Sequence, residues 1–293
     1  MAVTERDPHT GYLTTGHEWN GIKELNTPVP RPVYFFLITT LLFSVVYWVL
    51  MPAWPLGVTY TKGLLGIDQT TTVTESLKQA ALGRESWTKR IETEGYQAIQ
   101  SDPTLMTIVR QTGHTLFGDN CAACHGFNAK GSKGFPSLVA GSWLWGGDRE
   151  TIAETIRIGI NSNLPNTRVA QMLAFGRDQI LSRAEVENVV SYVRSLSEPA
   201  TEKQIPAEKR AAGQTIFAAN CASCHGDDGK GNADLGAPDL TDRNWIYGGD
   251  PQSIFTSVWH GRQGHMPAWE SRLSPFERKI LALYLADLRS RNQ

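Results

Sequence analysis

One long apolar run stands out in a chain that otherwise mixes polar and apolar positions. From Val33 to Met51 nineteen residues carry no charge, so a helix here is charge-free all the way round. At 1.5 Å per residue such a helix just crosses a hydrocarbon core of roughly 30 Å. Tyr34, Tyr47, Trp48 and Trp54 lie near its ends, where amphipathic rings favour the headgroup region, and Pro52 and Pro55 stop it. A cleaved signal peptide has a shorter apolar stretch nearer the N-terminus, ending at small residues. The pattern predicts an uncleaved transmembrane helix over 33–51.

Residues 1–32 are polar, with Gly16, Gly21, Pro28, Pro30 and Pro32, and predict an irregular arm. Beyond the span, 52–104 reads as a connector. It is helical and amphipathic from 74 on, with a break at Asp102-Pro103. Two later stretches repeat at the spacing of a one-faced helix: Val186, Val189, Val190, Val193 and Leu196, then Ile280, Leu283, Tyr284 and Leu288. A polar, proline-bounded segment between Ser197 and Pro206 predicts a linker over 199–204. The fold class is all-α.

These helices close two copies of one pattern. Gly113-x3-Phe117-x3-Cys-Ala-Ala-Cys-His125 returns as Gly213-x3-Phe217-x3-Cys-Ala-Ser-Cys-His225, and Trp143-x-Trp145-Gly-Gly-Asp148 returns as Trp245-x-Tyr247-Gly-Gly-Asp250. The duplication predicts two globular units, 105–198 and 205–293.

The net charge of −1 gives no reason to expect nucleic acid as a partner. Four cysteines in 293 residues are too sparse for a disulfide scaffold, so their neighbours decide their use. Cys-x-x-Cys-His is the attachment signature of c-type haem. Two thiols on one turn, Cys121 with Cys124 and Cys221 with Cys224, can each form a thioether to a vinyl group. The next residue, His125 or His225, is delivered beneath the ring as an iron ligand. A four-cysteine zinc site would need the pairs together, and a redox dithiol would need a preceding strand. The predicted cofactors are therefore two covalently bound haem c groups.

The sixth iron ligand must come from each repeat. Of five methionines, only Met172 and Met266 fall between an attachment motif and a closing helix. A His/Met pair raises the potential. Met266 sits in the polar loop Gly264-His-Met-Pro267, whereas Met172 lacks the following proline, having Leu173 instead. His260 and His265 are rivals at the second site and His114 at the first. Pro136 and Pro238 follow the two histidines in glycine-rich loops, where a backbone carbonyl can accept the histidine's second N–H. Trp143 and Trp245 either cover the haem or bond a propionate, or only fill the core. Gly113 with Tyr192, and Gly213 with Tyr284, suit a close crossing of the first and last helix of each repeat.

The two repeats resemble class I cytochrome c, over about 105–198 and 205–291. The N-terminal part narrows the resemblance. Thr15-Gly-His-Glu-Trp-Asn-Gly-Ile-Lys-Glu-Leu-Asn26, Pro28-x-Pro30, the apolar span and Pro52-Ala-Trp-Pro55 are similar to the di-haem CcoP or FixP subunit of cbb3-type cytochrome c oxidase. The resemblance implies one anchoring helix followed by two tandem class I cytochrome c domains. It implies that Cys121, Cys124, His125 and Met172 serve one haem, and Cys221, Cys224, His225 and Met266 the other.

It further implies a single-pass subunit of a bacterial inner membrane, with the arm cytoplasmic and both haem domains periplasmic. The charge bias agrees, with Arg6, Lys23 and Arg31 before the span against Lys62 in 52–71. Electrons would come from a donor cytochrome c or bc-type complex and pass through a mono-haem partner to the haem–copper subunit. That subunit belongs to an oxygen-reducing, proton-translocating complex of the respiratory chain. The chain alone would not be an enzyme, since no nucleophile–base pair, phosphate loop or carboxylate pair stands out. His17, Glu18 and Trp19 are either contacts to neighbouring subunits or ordinary surface. Rival readings are a stand-alone di-haem carrier, a di-haem peroxidase, and the cytochrome subunit of a periplasmic dehydrogenase. Finally, Asp227, Asp228, Asp234, Asp239, Asp242 and Asp250 stand against only Lys230 and Arg243 within 226–250, which predicts either an acidic edge that attracts a basic donor or an ordinary solvated acidic loop.

Overall fold

A computed structural model of the chain describes residues 5–198 and 205–292, so the expected linker over 199–204 lies outside the described residues. The chain divides into two units, one up to Arg84 and one from Glu85 on.

In the first unit the arm is not irregular throughout. Strands β1 (Thr14–Trp19) and β2 (Ile22–Leu25) pair antiparallel. Asn20 and Gly21 both have positive φ, 51° and 86°, the geometry that lets a two-residue turn follow the twist of its strands. The Asn-Gly dipeptide carried this signal. Trp19 and Ile22 at the tip are about three-quarters exposed. Helix α1 (Arg31–Leu50) covers the predicted span except Met51, which is extended and ends it, and none of its residues is buried. Its hydroxyls turn inward: Thr39 and Thr40 donate to the carbonyls of Phe35 and Phe36 at 2.8 Å, so neither asks for water. At its C-terminal end the chain doubles back, and the Leu64 and Leu65 amides donate to the carbonyls of Val49 and Leu50.

Helix α2 (Gln69–Thr93) runs across the division, followed by α3 (Tyr96–Ser101) and α4 (Pro103–Asn120). Asp102 caps α4 by accepting from the Thr104 and Leu105 amides, with Pro103 at the first helical position, which explains the predicted break. The second unit continues with α5 (Ala122–His125), α6 (Arg149–Ile158) and α7 (Arg183–Ser197). It ends with α8 (Ala207–Asn220), α9 (Ala222–His225), α10 (Pro251–His260) and α11 (Pro275–Ser290). The repeated Gly-Gly-Asp has a local purpose: Asp148 and Asp250 cap α6 and α10 by accepting from the Thr151 and Ser253 amides. Both closing helices open with a Ser/Glu capping box, at Ser182 and Glu185 and at Ser274 and Glu277.

The cores do not follow the repeats. One gathers Leu105, Val109 and Phe117 of α4, Ile152 and Ile156 of α6, and Ile280, Leu281, Leu283 and Tyr284 of α11. The other gathers Val186, Val189 and Val193 of α7, Phe217 of α8, and Ile254 and Val258 of α10. The opening helix of the first repeat thus packs on the closing helix of the second, and α7 packs on α8.

The expected crossings of Gly113 with Tyr192 and Gly213 with Tyr284 are therefore corrected to the opposite pairing. A Cβ on Gly113 would lie 2.5 Å from the Tyr284 Cβ, and one on Gly213 would meet Tyr192 at 2.8 Å and the Asn188 carbonyl closer still. The sequence motif named the right residue types, because only glycine lets the helices approach this closely. It could not say which tyrosine goes where, since both copies carry one.

Candidate haem-attachment sites

Each attachment motif occupies a single helical turn. Cys121 and Cys221 end α4 and α8, and their carbonyls accept from the amides of His125 and His225. Cys121 and Cys221 point inward, whereas Cys124 and Cys224 are exposed. Burial pushes the Cys121 and Cys221 thiols up to about 11. That is the reverse of a redox dithiol, whose attacking thiol must be lowered. The zinc alternative also lapses, since no group of three or more His, Cys, Asp and Glu capable of holding a metal occurs among the described residues.

The histidines are held as an iron ligand requires. A proline carbonyl can only accept, so the 3.0 Å contact from His125 Nδ1 to the Pro136 oxygen fixes the proton on Nδ1 and leaves Nε2 for a metal. His225 and Pro238 repeat the arrangement at 3.0 Å. Burial holds both imidazoles below the usual histidine value, with the proline carbonyl working against it, which favours the neutral ring. This is the support expected from Pro136 and Pro238. The two proline loops meet: Gly134 donates to the Ile246 carbonyl at 2.7 Å, and Pro136 and Pro238 both line a cavity of about 250 Å³.

The methionines follow the cores rather than the repeats. Met266 packs against the core that holds Cys121 and Ala122, and Met172 against the one that holds Cys221 and Ala222. The backbone explains the exchange. Met266 and Ile160 swap both amide–carbonyl hydrogen bonds at 2.9 Å, and Met172 and Arg262 do so at 2.8 and 3.0 Å. The chain leaving α6 thereby runs beside the second methionine, and the chain leaving α10 beside the first. Gly159 and Gly261, with φ of 69°, make the turn at each place, each pressed against the opposed methionine's carbonyl.

The other candidates are less central. His114 meets the Tyr284 hydroxyl at 3.3 Å, while His260 ends α10 and is exposed, as is His265. Trp143 lies against Gly147 with the Arg289 guanidinium 5.2 Å from its ring centre, and Trp245 lies against Gly249 and lines the shared cavity. Of the acidic loop, Asp239, Asp242 and Asp250 are engaged in holding backbone and hydroxyl groups, whereas Asp227, Asp228 and Asp234 are exposed. Sequence reasoning missed Arg262, the backbone partner of Met172. The signal was a break in the repeat: Met172 lies thirteen positions beyond Gly159, but Met266 only five beyond Gly261.

A hydrophobic anchor followed by paired Cys-x-x-Cys-His turns, each with a buried, carbonyl-held histidine, defines a membrane-anchored c-type cytochrome that carries covalently bound haem c. Comparison with known proteins narrows the class. The N-terminal domain of cytochrome oxidase-cbb3, FixP, matches residues 11–58, cytochrome c matches 111–197, and cytochrome c oxidase, cbb3-type, subunit III matches 208–285. The cbb3-type cytochrome c oxidase subunit FixP of Bradyrhizobium sp. (strain ORS 278) is 45% identical over 285 residues, 97% of each chain. Subunit FixP of Azorhizobium caulinodans is 45% identical over 95% of this chain and 93% of its own. Subunit CcoP of Rhodobacter capsulatus is 41% identical over 94% of this chain and 95% of its own. The chain belongs to the FixP/CcoP family of cbb3-type cytochrome c oxidase subunits. It is an electron-transfer subunit of that oxidase and partners with other subunits of the complex.

Proposed function

We propose that the chain holds two haem c groups and relays single electrons between a donor and the oxygen-reducing part of the oxidase. Cys121 and Cys124 anchor one haem and Cys221 and Cys224 the other, with His125 and His225 as iron ligands. Met266 completes the site of His125, and Met172 that of His225. The observation that carries this reading is the company each methionine keeps: Met266 shares a core with Cys121, and Met172 with Cys221. When bound, the haems supply one-electron iron chemistry. The protein's own part is to fix each imidazole through a proline carbonyl, surround it with apolar side chains and keep the two attachment loops in contact. Thioether sulfur favours ferrous iron, so a His/Met pair suits a carrier feeding electrons towards a strong oxidant.

The arm before α1 is cytoplasmic and the haem-bearing unit periplasmic, in a bacterial inner membrane. The bias of Arg6, Lys23 and Arg31 over Lys62 supports this orientation. Electrons arrive from a cytochrome c or bc-type complex and leave, through a mono-haem subunit, for the haem–copper subunit. Purifying the complex from membranes tests the reading. The chain should carry the mass of two attached haems, and Met266→Ala should perturb the ring-proton resonances of His125 while sparing those of His225. A perturbation of His225 instead would overturn the ligand pairing, and a bare polypeptide mass would overturn the function.

A further inference from the structure

The last turn of α1 is finished by the chain itself. A helix leaves its last four carbonyls without a partner, and lipid offers no donor for them. Here the Tyr47 carbonyl accepts from the Met51 amide at 2.7 Å, that of Val49 from Leu64 at 3.0 Å and that of Leu50 from Leu65 at 3.1 Å. Gly63 makes this approach possible. With φ of 68° it lies so near the helix end that a Cβ would meet the Leu50 carbonyl oxygen at 2.4 Å. Three of the four carbonyls thus have donors without water.

Between the helix and this cap the chain makes a tight turn. The Thr61 amide donates to the Trp54 carbonyl at 2.9 Å, the Trp54 amide to the Thr61 hydroxyl at 3.0 Å and the Leu56 amide to the Thr59 carbonyl at 2.6 Å, with Gly57 at a φ of 87°. The Trp54 ring lies edge-on to that of Trp48, 4.9 Å between centres, so the base of the turn is folded against the last turn of α1. What the segment presents outward is apolar. Leu56 and Leu65 are more than half exposed, Leu64 is 79% exposed, and Val58 at the tip is fully exposed.

Charge is nearly absent. Lys62 is the only charged residue between Arg31 and Asp68. Asp68 accepts from the Thr70 amide at 2.9 Å where α2 opens, and marks the polar limit of the segment. An exposed apolar patch of this kind is a contact surface for protein or membrane. Two observations favour lipid. The patch is continuous with the spanning helix, since Leu64 and Leu65 are hydrogen-bonded to its last two residues. A protein interface also has a polar rim, often with arginine, whereas here the sole charge is a lysine whose apolar stem can carry its ammonium to the headgroups. We propose that residues 52–67 form a collar seated in the leaflet where α1 ends, with Leu56, Val58, Leu64 and Leu65 among the lipid acyl chains. The collar widens the footprint of a single helix and fixes the depth at which α2 emerges.

The test places a photoreactive diazirine side chain at position 58, 64 or 75 of the full chain, in the intact complex reconstituted into vesicles of phosphatidylethanolamine and phosphatidylglycerol. Glu75 is exposed on α2, beyond the collar, and serves as the reference. After illumination, mass spectrometry of the products should show lipid joined through its acyl chain as the main adduct at 58 and at 64, several-fold above the yield at 75. Another subunit as the main adduct at 58 or 64 would overturn the proposal and make the patch a protein interface. Addition of water alone, or a lipid yield at 58 and 64 no greater than at 75, would also overturn it, by leaving the turn in solvent.

Discussion

Arg110 on α4 and Asp287 on α11 form a two-point ion pair, Nε to Oδ2 at 3.0 Å and Nη2 to Oδ1 at 2.8 Å, between residues 177 positions apart. It ties the opening helix of the first repeat to the closing helix of the second. The Arg110 guanidinium is the main reason the Asp287 carboxyl is held below the usual aspartate value, with Arg291 adding to it.

A depressed carboxyl stabilises the fold above its unfolded value and loses that contribution as pH falls through its folded one. Asp287→Asn should therefore cost about 1 kcal/mol near neutral pH, a modest figure because Arg110 is partly exposed. Denaturant titrations of wild type and variant should converge once the pH lies well below 3.8, the ordinary aspartate value.

Gly113→Ala puts a methyl group against Tyr284, and the overpacking should cost about 1–3 kcal/mol. Because the nearest contact is the Tyr284 Cβ itself, Tyr284→Gly should relieve much of that penalty, whereas Tyr192→Gly should not. A double-mutant cycle with both tyrosines reads out which helix crosses which. Relief by Tyr192→Gly alone would contradict the exchanged packing.

Replacing the exposed carboxylates Asp227, Asp228 and Asp234 by asparagine should slow reduction by a basic donor cytochrome several-fold at low ionic strength. It should also flatten the salt dependence. Stopped-flow rates between low and moderate salt check this. Asp250→Asn is a poor probe of docking, because Asp250 caps α10. An unaltered salt slope in the triple variant would remove the acidic edge as a docking surface.

Met172→Ala and Met266→Ala should each abolish the methionine–iron charge-transfer band of one ferric haem and lower its potential. The pair together should remove the band altogether. A band that survives in the double variant would point to another sixth ligand.

Much of this molecule is legible in its sequence because the informative features are local. The apolar run of α1, the one-turn attachment motifs, the Asp caps at 148 and 250 and the proline after each histidine act within a few residues of themselves. The Asn20-Gly21 turn is equally local, but the glycines and prolines around it, Gly16, Pro28, Pro30 and Pro32, mask the strand pattern on either side. The exchange of closing helices was not legible. Tyr192 and Tyr284 are alike, as are Gly113 and Gly213, so choosing between two chemically equivalent pairings is a matter of chain path.

The crossing of α4 with α11 also constrains how the chain is made. Synthesis runs from the N-terminus, so the helix ending at Cys121 is finished some 160 residues before Tyr284 exists to cover Gly113. Its apolar face has to wait for α11. A ribosome that stops short of α11 would leave the earlier of the two sites open and the later one closed, the reverse of what the order of the repeats suggests.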